Sequence, residues 1–302
     1  MQLNDGAAEA ELELLNTTIP PMDLATAKLV LSDAKRILDG LGVAFFLRQG
    51  TVLGAVRDQA FIPWDDDIDL GIVIGLHGFG EDSVQPVIDA FREAGYYTSL
   101  ERTASYVYTA LMKHHTKIDM YFLRVVNGQV YHYPGLWFPI RFFTDLAEIE
   151  FLGETYRVPN PPEEYLLFKY GPDWRIPKRA GYEKDVLDNM RYAALPVRRS
   201  ALRHFLTRRL MPWHAVRLRV LDDAGRPVQG AQVSVVGVGR TTTDKTGYAE
   251  LYPPGDAVYA MTVTFGGCEE VLYEERIAPG ETYVYRPDPV VNAGRTFILS
   301  RA

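Results

Sequence analysis

The stretch Phe61-Ile62-Pro63-Trp64-Asp65-Asp66-Asp67-Ile68-Asp69-Leu70-Gly71 decides the fold of the N-terminal part of the chain. Four of the five residues from Asp65 to Asp69 are aspartates, and an apolar run begins inside this cluster. Side chains alternate between the two faces of a β-strand, so the spacing places Asp67 and Asp69 on one face and Ile68 in the core. Two such carboxylates can hold a hard divalent cation, with phosphate oxygens completing its coordination shell.

A glycine turn precedes this strand. Gly50 and Thr51 follow the apolar run 43–47, which predicts a buried strand, and they precede a helix-like run at 52–57. Glycine lets a ligand approach the backbone closely, and a helix N-terminus offers free N–H groups to an anion. A strand, a Gly-polar turn, a short helix and an Asp-x-Asp strand together predict a nucleotidyltransferase fold, whose turn holds the donor phosphate.

A third aspartate lies on a later strand-like run at 117–124. Asp119 is flanked there by the apolar residues Ile118 and Met120. A carboxylate between buried apolar positions is costly unless it is paired, hydrogen-bonded or bound to a metal. Asp119 is therefore the third candidate for the same site.

Composition restricts the class of protein. The 302 residues carry 39 acidic and 32 basic side chains, a formal net charge of −7, which gives no support to general nucleic-acid binding. The single cysteine, Cys268, excludes an internal disulfide, and no Cys/His cluster has zinc-ligand spacing. The acidic start is unlike a signal peptide, and no run reaches the roughly 18 apolar residues that a membrane span needs. We expect a cytoplasmic protein.

Periodicity divides the chain into two regions with a joint between them. An apolar stripe at 22–41, capped by Asp23, and a second stripe at 82–94 predict helices. Strand-like runs and an Asn127-Gly128 hairpin signal complete the expected α+β domain with a mixed sheet over residues 1–195. The strand-like runs lie at 68–74, 96–100, 106–112 and 117–124. Short Val/Thr/Tyr-rich runs between turns predict a small all-β sandwich over 216–302.

The joint, residues 196–215, is predicted to be a basic linker helix. No acidic residue occurs from Asn189 to Leu221, whereas eight arginines do. The interpretation that we favour is a helix that packs its apolar face between the two domains. The alternative is peripheral contact with an anionic membrane at the inner face. The arginines that would make this contact are Arg198, Arg199, Arg208 and Arg209.

The run from Arg48 to Gly71 resembles the signature of the LicD family. Fukutin and fukutin-related protein share this signature. The resemblance extends through Ile118-Asp119-Met120 and the run 161–166 to the run 170–174, and covers roughly residues 25–180. Members of this family move a phospho-alcohol unit, such as phosphocholine or ribitol phosphate, from a CDP-activated donor to a glycan hydroxyl. The resemblance therefore implies a transferase of cell-envelope polysaccharide synthesis, with a CDP-linked donor and a glycan or glycolipid acceptor.

The resemblance also implies roles for the carboxylates. Asp67 and Asp69 would be ligands of Mg²⁺ or Mn²⁺, and Asp65 matches a further carboxylate position of the family. Asp119 would be another ligand or the base that accepts the proton of the acceptor hydroxyl.

For the donor, the resemblance implies contacts outside the carboxylates. Gly50 and Thr51 would bind its phosphates, and the family's arginines beside the turn, here Arg48 and Arg57, would neutralise them. Tyr170 and Trp174 leave two interpretations open. They pack a turn, or the indole forms a platform for a sugar ring or a choline-like cation.

The C-terminal region resembles the carboxypeptidase regulatory-like, or transthyretin-like, sandwich over roughly residues 216–290. The runs 220–233 and 241–248 carry this resemblance. Such modules are spacers, oligomerisation surfaces or glycan-binding accessories, so the resemblance implies a fold and little about function.

Two alternatives to phospho-alcohol transfer stay open at this point. The same catalytic fold also transfers a nucleotide from an NTP, which would release pyrophosphate instead of CMP. In the second alternative, the chain is a glycan-binding or scaffolding protein whose catalytic domain is degenerate.

Overall fold

The computed structural model describes residues 5–18, 20–103, 105–179, 181–193, 214–287, 295–296 and 298–302. The chain forms two compact units, the first of residues 1–132 and 137–176, and the second of residues 133–136 and 177–302. None of the helices in the described ranges combines the length and the apolar character that a membrane span requires.

The first unit contains a mixture of helices and strands. Its helices are α1 (Asp5–Thr18), α2 (Leu24–Gly40), α3 (Gln49–Arg57), α4 (Val84–Glu93), α5 (Arg141–Thr144) and α6 (Pro162–Tyr170). Its strands are β1 (Phe46–Leu47), β2 (Asp67–Ile74), β3 (Tyr97–Thr98), β4 (Glu101–Arg102), β5 (Tyr106–Lys113), β6 (Thr116–Val126), β7 (Gln129–His132), β8 (Leu136–Pro139), β9 (Ala147–Phe151) and β10 (Glu154–Val158). A short 3₁₀ turn, Glu81–Ser83, precedes α4.

An eight-stranded mixed sheet forms the centre of this unit. Its order is β1-β2-β6-β5-β3, with β4 on β5 and with β7 between β6 and β8, while β9 and β10 form a separate hairpin. Strands β2 and β6 are parallel, whereas β6 is antiparallel to β5 and to β7. The parallel register sets Asp67 opposite Lys117 and Asp69 opposite Asp119. The expected mixed sheet is therefore confirmed, and its central parallel pair brings the distant aspartates together.

Local signals located most of these elements. The Asp23 carboxylate caps α2 by accepting a hydrogen bond from Thr26 N at 2.8 Å, as the sequence predicts. Asn127 and Gly128 both have positive φ and join β6 to β7, which confirms the hairpin. The second predicted helix is also confirmed, as a 3₁₀ turn that continues into α4.

Two expectations need correction at β1 and α3. Only Phe46 and Leu47 of the run 43–47 pair as a strand. The backbone of Arg48 is extended and α3 begins directly after it, so Gly50 and Thr51 lie within the first turn of the helix and not in a turn before it.

The second unit is rich in β-structure. It contains α7 (Tyr182–Ala193) and the strands β11 (Val216–Val220), β12 (Gln232–Val235), β13 (Gly239–Thr242), β14 (Tyr248–Leu251), β15 (Ala257–Phe265), β16 (Cys268–Ile277), β17 (Thr282–Tyr285), β18 (Arg295–Thr296) and β19 (Ser300–Arg301). They form a four-stranded sheet, β14-β11-β17-β19, and a five-stranded sheet, β13-β12-β15-β16-β18. Both sheets supply residues to one buried core, including Leu218 and Val233.

Part of the predicted domain organisation stays a prediction. The linker arginines lie outside the described residues, since the description stops at 193 and resumes at 214. The boundaries at 195 and 216 and the carboxypeptidase regulatory-like resemblance likewise stay predictions.

Candidate active site

Five aspartates converge where β2 begins beside β6. Asp65 and Asp66 lie in the loop before β2, and each can place a carboxylate oxygen within 4.8 Å of one from Asp67. Asp69 follows on the same face of the strand, in register with Asp119 on β6. The structure thus brings together all four carboxylates singled out in the sequence and adds Asp66.

Asp69 ties this strand to the first turn of α3. Its Oδ2 accepts a hydrogen bond from Gly50 N at 3.2 Å, and its own N–H donates to the Thr51 hydroxyl at 2.8 Å. Thr51 is fully buried, so its hydroxyl has a structural role here. Contact of Gly50 and Thr51 with a phosphate stays a prediction.

Any residue larger than glycine at position 50 would displace the Asp65 side chain. A Cβ added to Gly50 would lie 2.5 Å from Asp65 Oδ2 and 2.9 Å from Asp65 Oδ1. The helix backbone therefore approaches the Asp65 carboxylate more closely than any other residue type would allow. This contact fixes the loop carboxylates against α3.

Burial and mutual repulsion raise the pKa values of these carboxyls. Burial, followed by the charge of Asp67, raises the pKa of Asp66 to about 7 and that of Asp65 well above its usual range. Burial likewise raises the pKa of Asp69 well above that range and the pKa of Asp119 to about 6, although Lys117 lowers the latter. Crowded carboxylates of this kind are stabilised by a bound cation.

The donor set fits a hard divalent cation. All of its oxygens come from carboxylates, which are the preferred ligands of Mg²⁺ and Mn²⁺. The buried Asp65 Oδ2 has no hydrogen-bond partner among the described residues. A buried anionic oxygen without a partner is costly, and a metal ion would remove this cost.

Comparison with known proteins agrees with this geometry. Residues 42–161, which contain α3, β2 and β6, match the LicD/FKTN/FKRP nucleotidyltransferase domain. Over these residues, which we call the LicD domain, the chain is similar to that family. The LicD domain includes all five aspartates of the cluster and confirms the family resemblance of the sequence.

Individual relatives share the LicD domain. Human ribitol-5-phosphate transferase FKTN is 32% identical over 164 residues, which are 50% of this chain and 34% of that protein. Human ribitol 5-phosphate transferase FKRP is 27% identical over 164 residues, 51% of this chain and 32% of that protein. The chain thus spans about a third of the length of these curated relatives. A solved structure, ANT(2″)-Ia in complex with adenylyl-2″-tobramycin, aligns with a TM-score of 0.35 and 13% identity over 60% of this chain and 97% of that chain.

Arg48 of the LicD domain is buried beside the cluster. Its side chain is 0% exposed, and the guanidinium lies over the Tyr121 ring, 4.0 Å from the centroid. Nη1 lies 3.9 Å from Asp69 Oδ1, and Nη2 lies 3.5 Å from His132 Nδ1. In this conformation Arg48 acts on the site through its charge and its contact with Asp69, because its burial leaves no open face for a phosphate.

Three other predicted site residues lie away from the cluster's contacts. Arg57 ends α3 and pairs with its neighbour Asp58, with Nη2 2.7 Å from Oδ2, so its guanidinium is engaged there. Tyr170 and Trp174 are 8% and 5% exposed, and Arg175 lies over the indole at 4.1 Å. This burial favours the interpretation that both residues pack the turn after α6, and the platform role of the indole stays a prediction.

Two lysines were missed by the sequence reasoning. Lys117 Nζ lies 3.1 Å from Asp67 Oδ2 and 3.6 Å from Asp119 Oδ2, so an ammonium group lies among the carboxylates. Lys169 on α6 is 2% exposed, and burial, followed by the charge of Arg48, lowers its pKa to about 7. The period-2 spacing of Lys117 and Asp119 on one strand face was the available signal for the first of these lysines.

Tyr108 was also missed, and it orients Asp119. Its hydroxyl donates a hydrogen bond to Asp119 Oδ1 at 2.9 Å from the neighbouring strand β5. This bond favours the ionised carboxylate and lowers the pKa of Asp119 against the effect of burial.

Proposed function

We propose that the protein is a metal-dependent transferase that moves a phospho-alcohol unit from a CDP-activated donor to a hydroxyl of a glycan or glycolipid. The observation that carries the proposal is the convergence of five carboxylates at the start of β2 and β6, inside a LicD-family domain. The names of the relatives FKTN and FKRP, which are ribitol phosphate transferases, support the same reaction class.

Asp67 and Asp69 would hold the metal ion, with Asp65 as a further ligand and Asp66 beside them. Asp65, Asp66 and Asp67 present oxygens close enough to share one ion, and Asp69 holds the first turn of α3 against them. When bound, Mg²⁺ or Mn²⁺ would neutralise charge on the donor's diphosphate. Arg48 adds a buried positive charge near Asp69, which favours an anionic donor at this end of the sheet.

Asp119 is the proposed base. The acceptor hydroxyl oxygen forms a bond to the donor phosphorus that carries the alcohol, and the bond from this phosphorus to the bridging oxygen breaks. CMP leaves with the electron pair of that bond, and the acceptor proton passes to Asp119. A carboxylate whose pKa is raised to about 6 is a stronger base than an ordinary aspartate, and the Tyr108 hydroxyl holds it in place.

Product analysis tests this function. The 302-residue protein is incubated with Mg²⁺ and CDP-ribitol, CDP-choline or CTP, and with extracts of surface glycans as acceptors. We expect CMP release and labelled glycan from a CDP-alcohol. Pyrophosphate release from CTP would instead show nucleotidyl transfer and overturn the proposal.

A matched pair of variants assigns the activity to the cluster. Asp67→Asn removes the charge of a central carboxylate and keeps nearly the same side-chain shape. Asp82→Asn makes the same change at an exposed position beside α4. We expect Asp67→Asn to reduce transfer by about a hundredfold or more, the scale of losing one electrostatic group. Asp82→Asn should leave it unchanged. Equal activity in the two variants would contradict the role of the cluster.

A further inference from the structure

Lys117 is an internal cation of the carboxylate cluster. Its ammonium group lies 3.1 Å from Asp67 Oδ2, 3.6 Å from Asp119 Oδ2 and 3.2 Å from Asn16 Oδ1. A lysine ammonium has three N–H donors, and these three oxygens surround it. The group is therefore fixed between two of the aspartates and does not extend into solvent.

The support for Lys117 comes from two elements. Strand β6 places it two residues before Asp119 and opposite Asp67. Helix α1 supplies Asn16 and packs on β5 through a small apolar cluster that includes Leu12 and Met112. The ammonium position is thus set by the sheet and by an N-terminal helix that lies outside the matched LicD segment.

The contacts of Lys117 show what this lysine does. Its ammonium group pairs with both Asp67 and Asp119. Without it, these two carboxylates are left together as an uncompensated pair, which costs stability.

The position of Lys117 is also informative. In two-metal sites the ions lie about 3.5–4 Å apart and share a carboxylate. Asp67 lies close to Asp65 and Asp66 and also contacts Lys117, which in turn contacts Asp119. The ammonium group therefore lies between Asp67 and Asp119, where a second ion shared by these two carboxylates would bind.

We propose that Lys117 takes the place of a second metal ion between Asp67 and Asp119, so that the cluster binds one divalent cation. The proposal rests on the metal dependence of the proposed function and adds the stoichiometry of the ion and the residue that sets it. Lys117 is a positioning residue in this account, because it acts through the two carboxylates.

The test is Mn²⁺ binding to the 302-residue protein without donor, with free Mn²⁺ measured by electron paramagnetic resonance. We expect one ion per wild-type chain. Lys117→Met should bind a second ion, because the positive charge between Asp67 and Asp119 is lost. Its Tm should also rise more on addition of Mn²⁺ than that of the wild type.

Two further variants make the result specific. Lys113→Met removes a partly exposed lysine on β5 that pairs with Asp33, at 2.7 Å, and it should bind Mn²⁺ as the wild type does. Lys117→Gln also removes the charge and gives the same test if Lys117→Met does not fold, whereas Lys117→Arg keeps the charge and should still bind one ion. Binding of only one ion by a folded variant that lacks the charge would overturn the proposal. Binding of two ions by the wild type would overturn the proposal for Lys117 and leave the proposed function intact. No Mn²⁺ binding by the wild type would overturn the metal-dependent function as well.

Discussion

Substitution of Gly50 by alanine should weaken metal binding with little effect on the stability of the fold. The new Cβ would lie 2.5 Å from Asp65 Oδ2 and 3.0 Å from its Cγ, so the Asp65 side chain must move. A side chain can rotate away, and alanine stabilises a helix by roughly 0.5–1 kcal/mol relative to glycine. We therefore expect a net change in the free energy of unfolding within about 1 kcal/mol, or roughly 2–4 °C in Tm.

Gly54→Ala is the matched control on the same helix. Its Cβ would lie 2.5 Å from the backbone oxygen of Ala60 and 3.2 Å from Ile62 N, and backbone atoms of a packed loop cannot rotate away. Overpacking of this kind costs about 1–3 kcal/mol. The two substitutions are chemically identical, but the new Cβ meets a side chain at position 50 and backbone at position 54. We therefore expect the first to weaken metal binding and the second to lower stability.

The assay combines thermal unfolding with Mn²⁺ titration. For Gly50→Ala we expect a near-normal Tm and a loss of Mn²⁺ affinity of about tenfold or more, because one clustered carboxylate is displaced. Gly54→Ala should show a lowered Tm and near-normal Mn²⁺ affinity at temperatures where it is folded. Wild-type Mn²⁺ affinity in Gly50→Ala would refute the assignment of Asp65 to the metal site.

Further predictions concern pH, Asp119 and a helix cap. Because the pKa values of Asp66 and Asp119 are raised to about 7 and about 6, their contribution to the stability of the ion-free protein is fully present below about pH 4 and is lost progressively as the pH rises from about 4 to 7. The Tm of the ion-free protein should therefore fall over that window, and Mg²⁺ should reduce the fall; a Tm that is flat with pH would contradict these shifts. Tyr108→Phe removes a hydrogen bond that lowers the pKa of Asp119, so the acidic limb of the pH–rate profile should move to higher pH; an unmoved limb would argue against Asp119 as the base. Asp23→Ala removes the cap of α2 and should cost about 1 kcal/mol in denaturant unfolding.

Local patterns predicted the parts of the site that are close in sequence. The alternation at Asp67-Ile68-Asp69 was sufficient to place two carboxylates on one face of β2, because strand geometry is local. The meeting of Asp69 with Asp119 depends on parallel pairing across 50 residues of chain, which no local pattern specifies. The cost of placing Asp119 between apolar residues made it a candidate for the same site, and the family resemblance supported that assignment.

Other features of the site depend on tertiary packing. The identity of a residue such as Trp174 or Arg48 does not tell whether its side chain is exposed or buried. Only the packing around α6 and β6 shows that both side chains are inaccessible. Lys169 interacts electrostatically with the carboxylates from a helix 100 residues after Asp69, a relation that sequence spacing cannot reveal. Lys117 is different, because its two-residue spacing from Asp119 was visible in the sequence.

The central claim is that the carboxylate cluster binds a CDP-activated donor through a divalent metal ion. The most direct measurement is calorimetric titration of CDP-ribitol and CDP-choline into the 302-residue protein, with Mg²⁺ and with EDTA, on the wild type, Asp67→Asn and Asp82→Asn. We predict binding of a CDP-alcohol that requires Mg²⁺, that Asp67→Asn abolishes and that Asp82→Asn retains. Donor binding that is equal in EDTA and unaffected by Asp67→Asn, or no binding of either donor, would contradict the claim.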